Sequence, residues 1–480
     1  MQRMVKWFAI ALATLAAGTA FAQNDAAVRT QHEVHIAGKP LAYSAEAGRI
    51  ALHNGSGAVI GHMFFTAYRV ATGKTSRPVT FLWNGGPGAN SEALHFEAFG
   101  PRRLVGHALQ DNDATLLANS DLVFVDPIGT GFSRAASPAF AADLYSTLGD
   151  FAAMTQFVRQ WLIVHHASKA PVYLIGESFG VWRAAAVAQE LEEQGQPVAG
   201  VVLISGGAGV GTGPLPRNLV AALRTPNRAA TALFHGKLAP NLNTDRDEIV
   251  AHATRWAKTV YAPALANVAA LDDATRDKIA ADLAAFTGLQ ASQIDRRTLS
   301  VTPRTYLHDL LKDQGKVLDT FDMRRTEEPP VDGSVIENYL RHDLNYKTAL
   351  SYAGLDDARD AADPTAPKPG WINEHWQYNS GVITPEVMAA AMAGEGPPGT
   401  QPWALNAIKL DPKLRVMVAA GLYDSLNSCA ANDALRAALD PAVAGNFTMK
   451  CYLGGHMMYR DPEAHRKLSA DVKAFELGAP

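Results

Sequence analysis

Five short segments of this chain are apolar almost from end to end: Pro78–Trp83, Leu122–Val125, Val172–Ile175, Val201–Ile204 and Leu414–Ala420. A strand with one wet face alternates polar and apolar residues. A short strand without that alternation is covered on both faces, which is the signature of a parallel sheet between two helix layers. The sequence between these segments agrees. Leu148, Phe151, Met154, Phe157, Val158, Trp161 and Leu162 recur at helical spacing. Further helices are expected up to about Glu193, over Ala430–Leu439 and over Pro462–Phe475, with another strand at Phe447–Leu453. Upstream, Gln31–Val70 reads as β-structure, punctuated by turn signals at Asn54-Gly55 and Gly73. Strand alternating with helix makes this an α/β chain with a mostly parallel central sheet covered by helices.

At 480 residues the chain has room for one large domain carrying an insertion. From 213 to 403 the pattern changes to Ala-rich, charged helical segments broken by Pro-rich pieces such as Asp363–Pro369. The expected order is a core from 23 to 212, a helical insertion capping it from 213 to 403, and the rest of the core from 404 to 480. Residues 1–22 read as a signal peptide. Arg3 and Lys6 precede the apolar run Trp7–Ala17, and Ala20-Phe21-Ala22 is a small-x-small cleavage site. That run is short for a membrane span. The expectation is export, to the periplasm or beyond, with no membrane attachment after cleavage near Ala22. A net charge of −4 gives no reason to expect a nucleic-acid partner. The two cysteines, Cys429 and Cys451, leave a disulfide and a pair of buried thiols equally open. They are too few for a thiolate metal site, and the sequence calls for no metal and no cofactor.

Gly176-Glu177-Ser178-Phe179-Gly180 lies between an apolar strand and an Ala-rich helix. In that context G-x-S-x-G is a nucleophile elbow: the turn lifts the serine above the sheet edge, and the helix aims N–H groups at the same place. Ser178 then needs a base and an orienting acid, in the chain order Ser, acid, His. Of the seven histidines after it, His456 follows a strand end in Leu453-Gly454-Gly455-His456, whereas His465 falls within the closing helix. Asp424 follows the Leu414–Ala420 strand, and one helix and one strand separate it from His456. An oxyanion would be held by the Phe179 N–H and by a donor from the glycine-rich turn Asn84-Gly85-Gly86-Pro87-Gly88. A second Gly-rich stretch, Ser205–Gly211, lacks a phosphate-loop lysine and reads as a loop.

Four ordered blocks resemble the serine carboxypeptidase family: Phe81–Gly88, Gly176–Gly180, Asp126–Ser133 (one residue shorter than the family's block) and Gly455-His456-Met457. The resemblance covers about 30–210 and 405–480. It implies the α/β-hydrolase fold with a largely helical cap, and release of C-terminal residues from peptides through a Ser178–His456–Asp424 triad and an acyl-enzyme. It implies Gly86 and Phe179 as oxyanion donors. It also implies that Asn84, the Gly85 N–H and Glu177 bind the substrate's terminal carboxylate. A carboxyl facing a carboxylate is stable only with a shared proton, so activity should favour acidic pH.

The chain also departs from the family. Ala98 stands where a further Glu is frequent, with Glu97 displaced by one. Val181-Trp182-Arg183 replaces Gly-His-Tyr, and Gly421 is not followed by an acid. The competing expectations are an esterase or acyltransferase on the same triad, and a non-catalytic binding protein. The Asn84 and Glu177 pair argues against an esterase, because an ester need not carry a terminal carboxylate. The preferred C-terminal residue and the oligomeric state are not legible.

Overall fold

The computed structural model describes residues 26–71, 77–206, 215–242, 244–327, 333–354, 365, 367–368, 371–380 and 402–478. The leader expected at 1–22, the Gly-rich stretch from 207 onward and Asp363-Pro364 lie outside them.

Twelve strands form in chain order: β1 Val28–Ile36, β2 Lys39–His53, β3 Val59–Arg69, β4 Val79–Trp83, β5 Arg102–Val105, β6 Ala108–Asp111, β7 Asp121–Val125, β8 Arg134–Ala135, β9 Val172–Glu177, β10 Gly200–Ile204, β11 Arg415–Gly421 and β12 Phe447–Tyr452. The main sheet runs β1-β2-β3-β7-β4-β9-β10-β11-β12, with β8 on β3 and β5-β6 a separate hairpin. From β7 to β12 neighbouring strands are parallel, and β1, β2 and β3 form an antiparallel edge. This is the α/β-hydrolase fold. Every residue of β4, β7, β9 and β10 is buried, as continuous apolar strands between two helix layers require.

One layer packs the Thr147–Val164, Gly180–Glu193 and Trp403–Leu410 helices on the sheet around Trp83, Phe157 and Trp161. The other sets the Pro462–Glu476 helix against Tyr173, Met417 and Phe124. The long connection from β10 to β11 divides its packing. Helices between Arg217 and Asp309 bury a separate cluster that includes Trp256, Leu283 and Phe286 and is joined by Ala430, Ala431 and Ala434 of the Cys429–Ala438 helix. Ile336, Tyr339 and Tyr346 instead join the main core against Phe64 and Phe132. Ile372 and Trp376 join the core on the opposite face. Cys429 and Cys451 form a disulfide with Cα atoms 5.6 Å apart, settling the alternative that the sequence left open.

Candidate active site

Ser178 lies in a tight turn at the carboxyl end of β9. Ser178 sits at φ +56°, a left-handed conformation that costs a non-glycine residue roughly 1–2 kcal/mol. Close packing imposes it: a Cβ on Gly176 would lie 1.9 Å from the Gly180 carbonyl oxygen, so only glycine lets the chain double back there. The Ser178 N–H donates to the Ile204 carbonyl at 2.9 Å, anchoring the turn to β10. Ser178 is part-exposed, while Glu177 and Phe179 on either side are buried.

The loop after β4 lies directly on this turn. A Cβ on Gly85 would meet Phe179 N at 2.5 Å and the Glu177 carbonyl oxygen at 2.7 Å, and Gly86 follows at φ +100°. Two side chains fasten the loop to the helix after the elbow. Trp83 Nε1 donates to the Gly180 carbonyl at 3.1 Å. Fully buried Arg183 donates through Nη1 to the Asn84 carbonyl and through Nε to Asp150, each at 2.6 Å. The departure at Val181-Trp182-Arg183 thus puts a buried ion pair behind the loop.

Asp424 and His456 come together at the ends of β11 and β12. Asp424 is completely buried, and its Oδ2 lies 2.9 Å from His456 Nδ1. That oxygen also accepts from Asn427 Nδ2 at 2.7 Å, and Oδ1 accepts from the Leu426 N–H at 2.8 Å. Burial opposes charging of the imidazole, but the Asp424 carboxylate overcomes it and holds the His456 pKa above its ordinary value. His456 Nε2 is buried and has no hydrogen-bond partner among the described residues, so it is not bonded to Ser178 Oγ. Such contacts often tighten only when substrate binds. The histidine loop is braced from the β10–β11 connection: the His456 N–H donates to the Phe321 carbonyl at 2.6 Å, and Ser205 Oγ donates to the His456 carbonyl at 2.5 Å.

Glu177 is 4 % exposed and accepts from Tyr459 Oη at 2.5 Å. Burial pushes its carboxyl up to about 6, against the pull of His456, Tyr459 and Arg460. Arg460 in turn is clamped by Glu97, Nε at 2.7 Å and Nη2 at 2.9 Å from its carboxylate oxygens. Asn84 is buried, its Oδ1 taken by the Leu94 N–H at 3.0 Å. Of the residues expected from sequence, Asn84, Gly85, Glu177 and Phe179 gather at the elbow with Ser178, and Gly86 follows in the same loop. Asp424 and His456 form a contacting pair that reaches Glu177 electrostatically.

Sequence reasoning missed Tyr459, Arg460, Asn427 and Phe321, set Glu97 aside, and noted Arg183 only as a departure from the family. Tyr459 and Arg460 had a signal, since they follow His456 by three and four residues in the same loop. Phe321 had none, because its role is a backbone carbonyl. His465, set aside in favour of His456, is buried and spends its Nε2 on the Ala98 carbonyl at 2.7 Å.

The profile of the family described as "Serine carboxypeptidase" matches residues 40–280, half of the chain. That span holds Ser178 and the Asn84–Gly88 loop; Asp424 and His456 lie beyond it. The pheromone-processing carboxypeptidase KEX1 of Verticillium alfalfae is 29% identical over 126 residues, 25% of this chain and 19% of that protein. The match therefore spans about a fifth of the relative's length. Among solved structures, proline iminopeptidase from Mycobacterium smegmatis superposes with TM-score 0.35 at 12% identity, covering 90% of this chain and 100% of the other. A thermostable carboxyl esterase from Bacillus coagulans gives 0.35 at 11%, covering 90% and 98%.

Proposed function

This chain belongs to the serine carboxypeptidase family, and on that premise we propose that it is an exported hydrolase removing C-terminal residues from peptides, with a preference for acidic pH. Ser178 Oγ attacks the last peptide carbonyl and passes its proton to His456 Nε2, the nitrogen that has no other partner. Asp424 holds the opposite ring nitrogen and stabilises the imidazolium that forms. The N–H groups of Gly86 and Phe179 receive the negative charge of the tetrahedral intermediate. The intermediate collapses by breaking the C–N bond, and His456 returns the proton to the departing amine. Water, deprotonated by His456, then cleaves the acyl-Ser178 ester by the same route.

The observation that carries the choice of substrate is the buried Glu177 carboxyl, raised to about 6 and one residue before Ser178. In its protonated form it donates to the peptide's terminal carboxylate, beside the Asn84 side chain and the Gly85 N–H. Ionised, it repels that carboxylate.

The test uses the mature protein and blocked dipeptides ending in a free acid or an amide, followed from pH 4 to 8 with Ser178→Ala as control. Strong preference for the free acid, strongest at low pH, is the expected result. Hydrolysis of simple esters with no response to a free carboxylate would replace this reading with an esterase. Absence of fluorophosphonate labelling at Ser178 would leave a binding protein.

A further inference from the structure

One turn of the long β10–β11 connection, residues 319–325, is bonded to both loops that carry the Asp424–His456 pair. The turn closes on itself. The Asp319 N–H donates to the Arg325 carbonyl at 2.8 Å, and Asp319 Oδ1 accepts from the N–H groups of Phe321 and Asp322 at 2.9 and 2.7 Å. It meets the acid loop on either side of Asp424. The Met323 N–H donates to the Tyr423 carbonyl at 2.9 Å, and Ser425 Oγ donates to the Thr320 carbonyl at 2.7 Å. It meets the histidine loop where the Phe321 carbonyl takes the His456 N–H, with the Phe321 ring 5.3 Å from the imidazole, centroid to centroid. Gly455 permits this approach, since a Cβ there would collide with the Phe321 carbonyl and lie 2.6 Å from Asp322 Cβ.

Arg324 ties the three pieces together. Its Nε and Nη2 donate to the Asp322 carboxylate at 3.0 and 2.7 Å, within the turn. Its Nη1 donates to the Leu453 carbonyl at 3.3 Å and to Asp461 Oδ2 at 3.2 Å, one acceptor before His456 in the chain and one after it. Its Cζ lies 4.8 Å from the ring centroid of Tyr423, the residue before Asp424. Asp461 is fixed in its own right, because its Oδ1 caps the closing helix at the N–H groups of Glu463 and Ala464. A planar guanidinium can hold several acceptors at once in set directions, which a single ammonium cannot.

We propose that Arg324 is a positioning residue for the Asp424–His456 pair, fastening the acid loop and the histidine loop to the 319–325 turn. The proposal rests on the catalytic reading of Ser178, Asp424 and His456 given above. Arg324 acts through the two loops, since its own bonds end on Asp322, Leu453 and Asp461. The imidazole must keep its bond to Asp424 while it takes up and returns the serine proton, and a displacement of about 1 Å in such a geometry can cost about 10²-fold in rate.

Two readouts on the full chain test this. The first is the titration of His456, followed by NMR with labelled histidine and assigned with His456→Gln. The groups that face His456 are Asp424 and Glu177, which raise its pKa, and Arg460, which lowers it together with burial. Loosening the bond to Asp424 weakens the raising influence, so in Arg324→Met His456 should titrate lower than in the parent. The second is the rate at which a fluorophosphonate labels Ser178, which needs an aligned imidazole but no substrate carboxylate. It should slow about ten- to hundredfold in Arg324→Met. Arg324→Lys should fall between parent and Arg324→Met in both readouts. A lower Tm in Arg324→Met with both readouts unchanged would mean a merely structural role and would overturn the proposal. If Arg324→Met does not fold, Asp461→Asn decides by the same readouts, since it keeps a helix cap and removes the charge that Arg324 binds. Smaller changes in the same directions are expected there, and no change would overturn the proposal. A parent protein that the fluorophosphonate does not label would overturn the nucleophile reading instead, and the His456 titration would then decide alone.

Discussion

The proton balance at Glu177 sets the sign of the pH response. Glu177 and His456 influence each other: ionised Glu177 raises the His456 pKa, and charged His456 lowers that of Glu177. Their titration therefore belongs to the pair. On the proposed mechanism the active form requires a neutral imidazole, to accept the serine proton, and a protonated Glu177, to receive the substrate carboxylate. As pH rises through about 6, Glu177 ionises and kcat/KM for a free-acid peptide falls. In Glu177→Gln the donor persists and the charge that raised His456 is gone. The alkaline fall should disappear and the acid limb should move to lower pH, read from kcat/KM profiles between pH 4 and 9. Superimposable profiles would remove Glu177 from the carboxylate site. Tyr459→Phe addresses the same group from the other side. It withdraws the donor that favours the charged carboxylate, so Glu177 should titrate higher and the alkaline fall should shift upward. Because more of Glu177 then keeps its proton near neutral pH, KM for free acids should fall there relative to the parent, read from KM profiles between pH 5 and 8. Ester substrates without a carboxylate should be little changed.

Between elements, the contact of the β4 loop with the elbow leaves no room for adjustment. A Cβ on Gly85 would strike backbone atoms of Phe179, Glu177 and Gly180, none of which is a flexible side-chain tip. Gly85→Ala must therefore push the loop off the turn and separate the proposed Gly86 and Phe179 donors. Losing one oxyanion donor costs about 10²–10³ in kcat, and a loss of that order is expected here, measured under saturating substrate. Unchanged kcat would place the oxyanion elsewhere. Arg183→Met leaves Asp150 as an unpaired buried charge, and a loss of about 3–5 kcal/mol in denaturant unfolding is expected. These contacts explain what could and could not be read beforehand. The strands were legible because burial on both faces strips them of polar residues. The placing of Ser178, Asp424 and His456 just past strand ends was legible because each follows closely on a strand in the sequence. The partnership of Arg183 with Asp150 was not, since residues 33 positions apart share no local pattern. The brace from Phe321 was hidden for a similar reason, as any residue offers a carbonyl. The disulfide joins the start of the Cys429–Ala438 helix to β12, and only the fold brings those ends within bonding distance.

Across the whole molecule, several buried carboxyls share one direction. Burial raises Asp126 and Glu177 to about 6 and Glu476 to about 7. A carboxyl whose folded pKa lies above its unfolded value binds its proton more tightly when folded. Its stabilising contribution is full below the unfolded pKa and is lost as pH rises through the folded one. Glu476 has the largest effect. It sits at the end of the closing helix, with Oε1 accepting from Thr80 Oγ1 of β4 at 2.7 Å and Oε2 buried without a partner among the described residues. Deprotonation puts a charge between that helix and the middle of the sheet, with Lys473 and Arg77 as partial compensation. From 4.5 to about 7, at 1.36 kcal/mol per pKa unit, the stability lost is on the order of 3 kcal/mol. The folded protein should therefore be most stable in mildly acidic solution and weaken between pH 5 and 8, in the same range where the Glu177 argument has activity decline. Glu476→Gln keeps the side chain's size and a hydrogen bond to Thr80 and removes the charge. Its Tm should fall less steeply than the parent's over that range and exceed it at pH 8. Parallel Tm–pH curves for the two proteins would show that Glu476 is not what sets the alkaline limit, and would shift attention to Asp126.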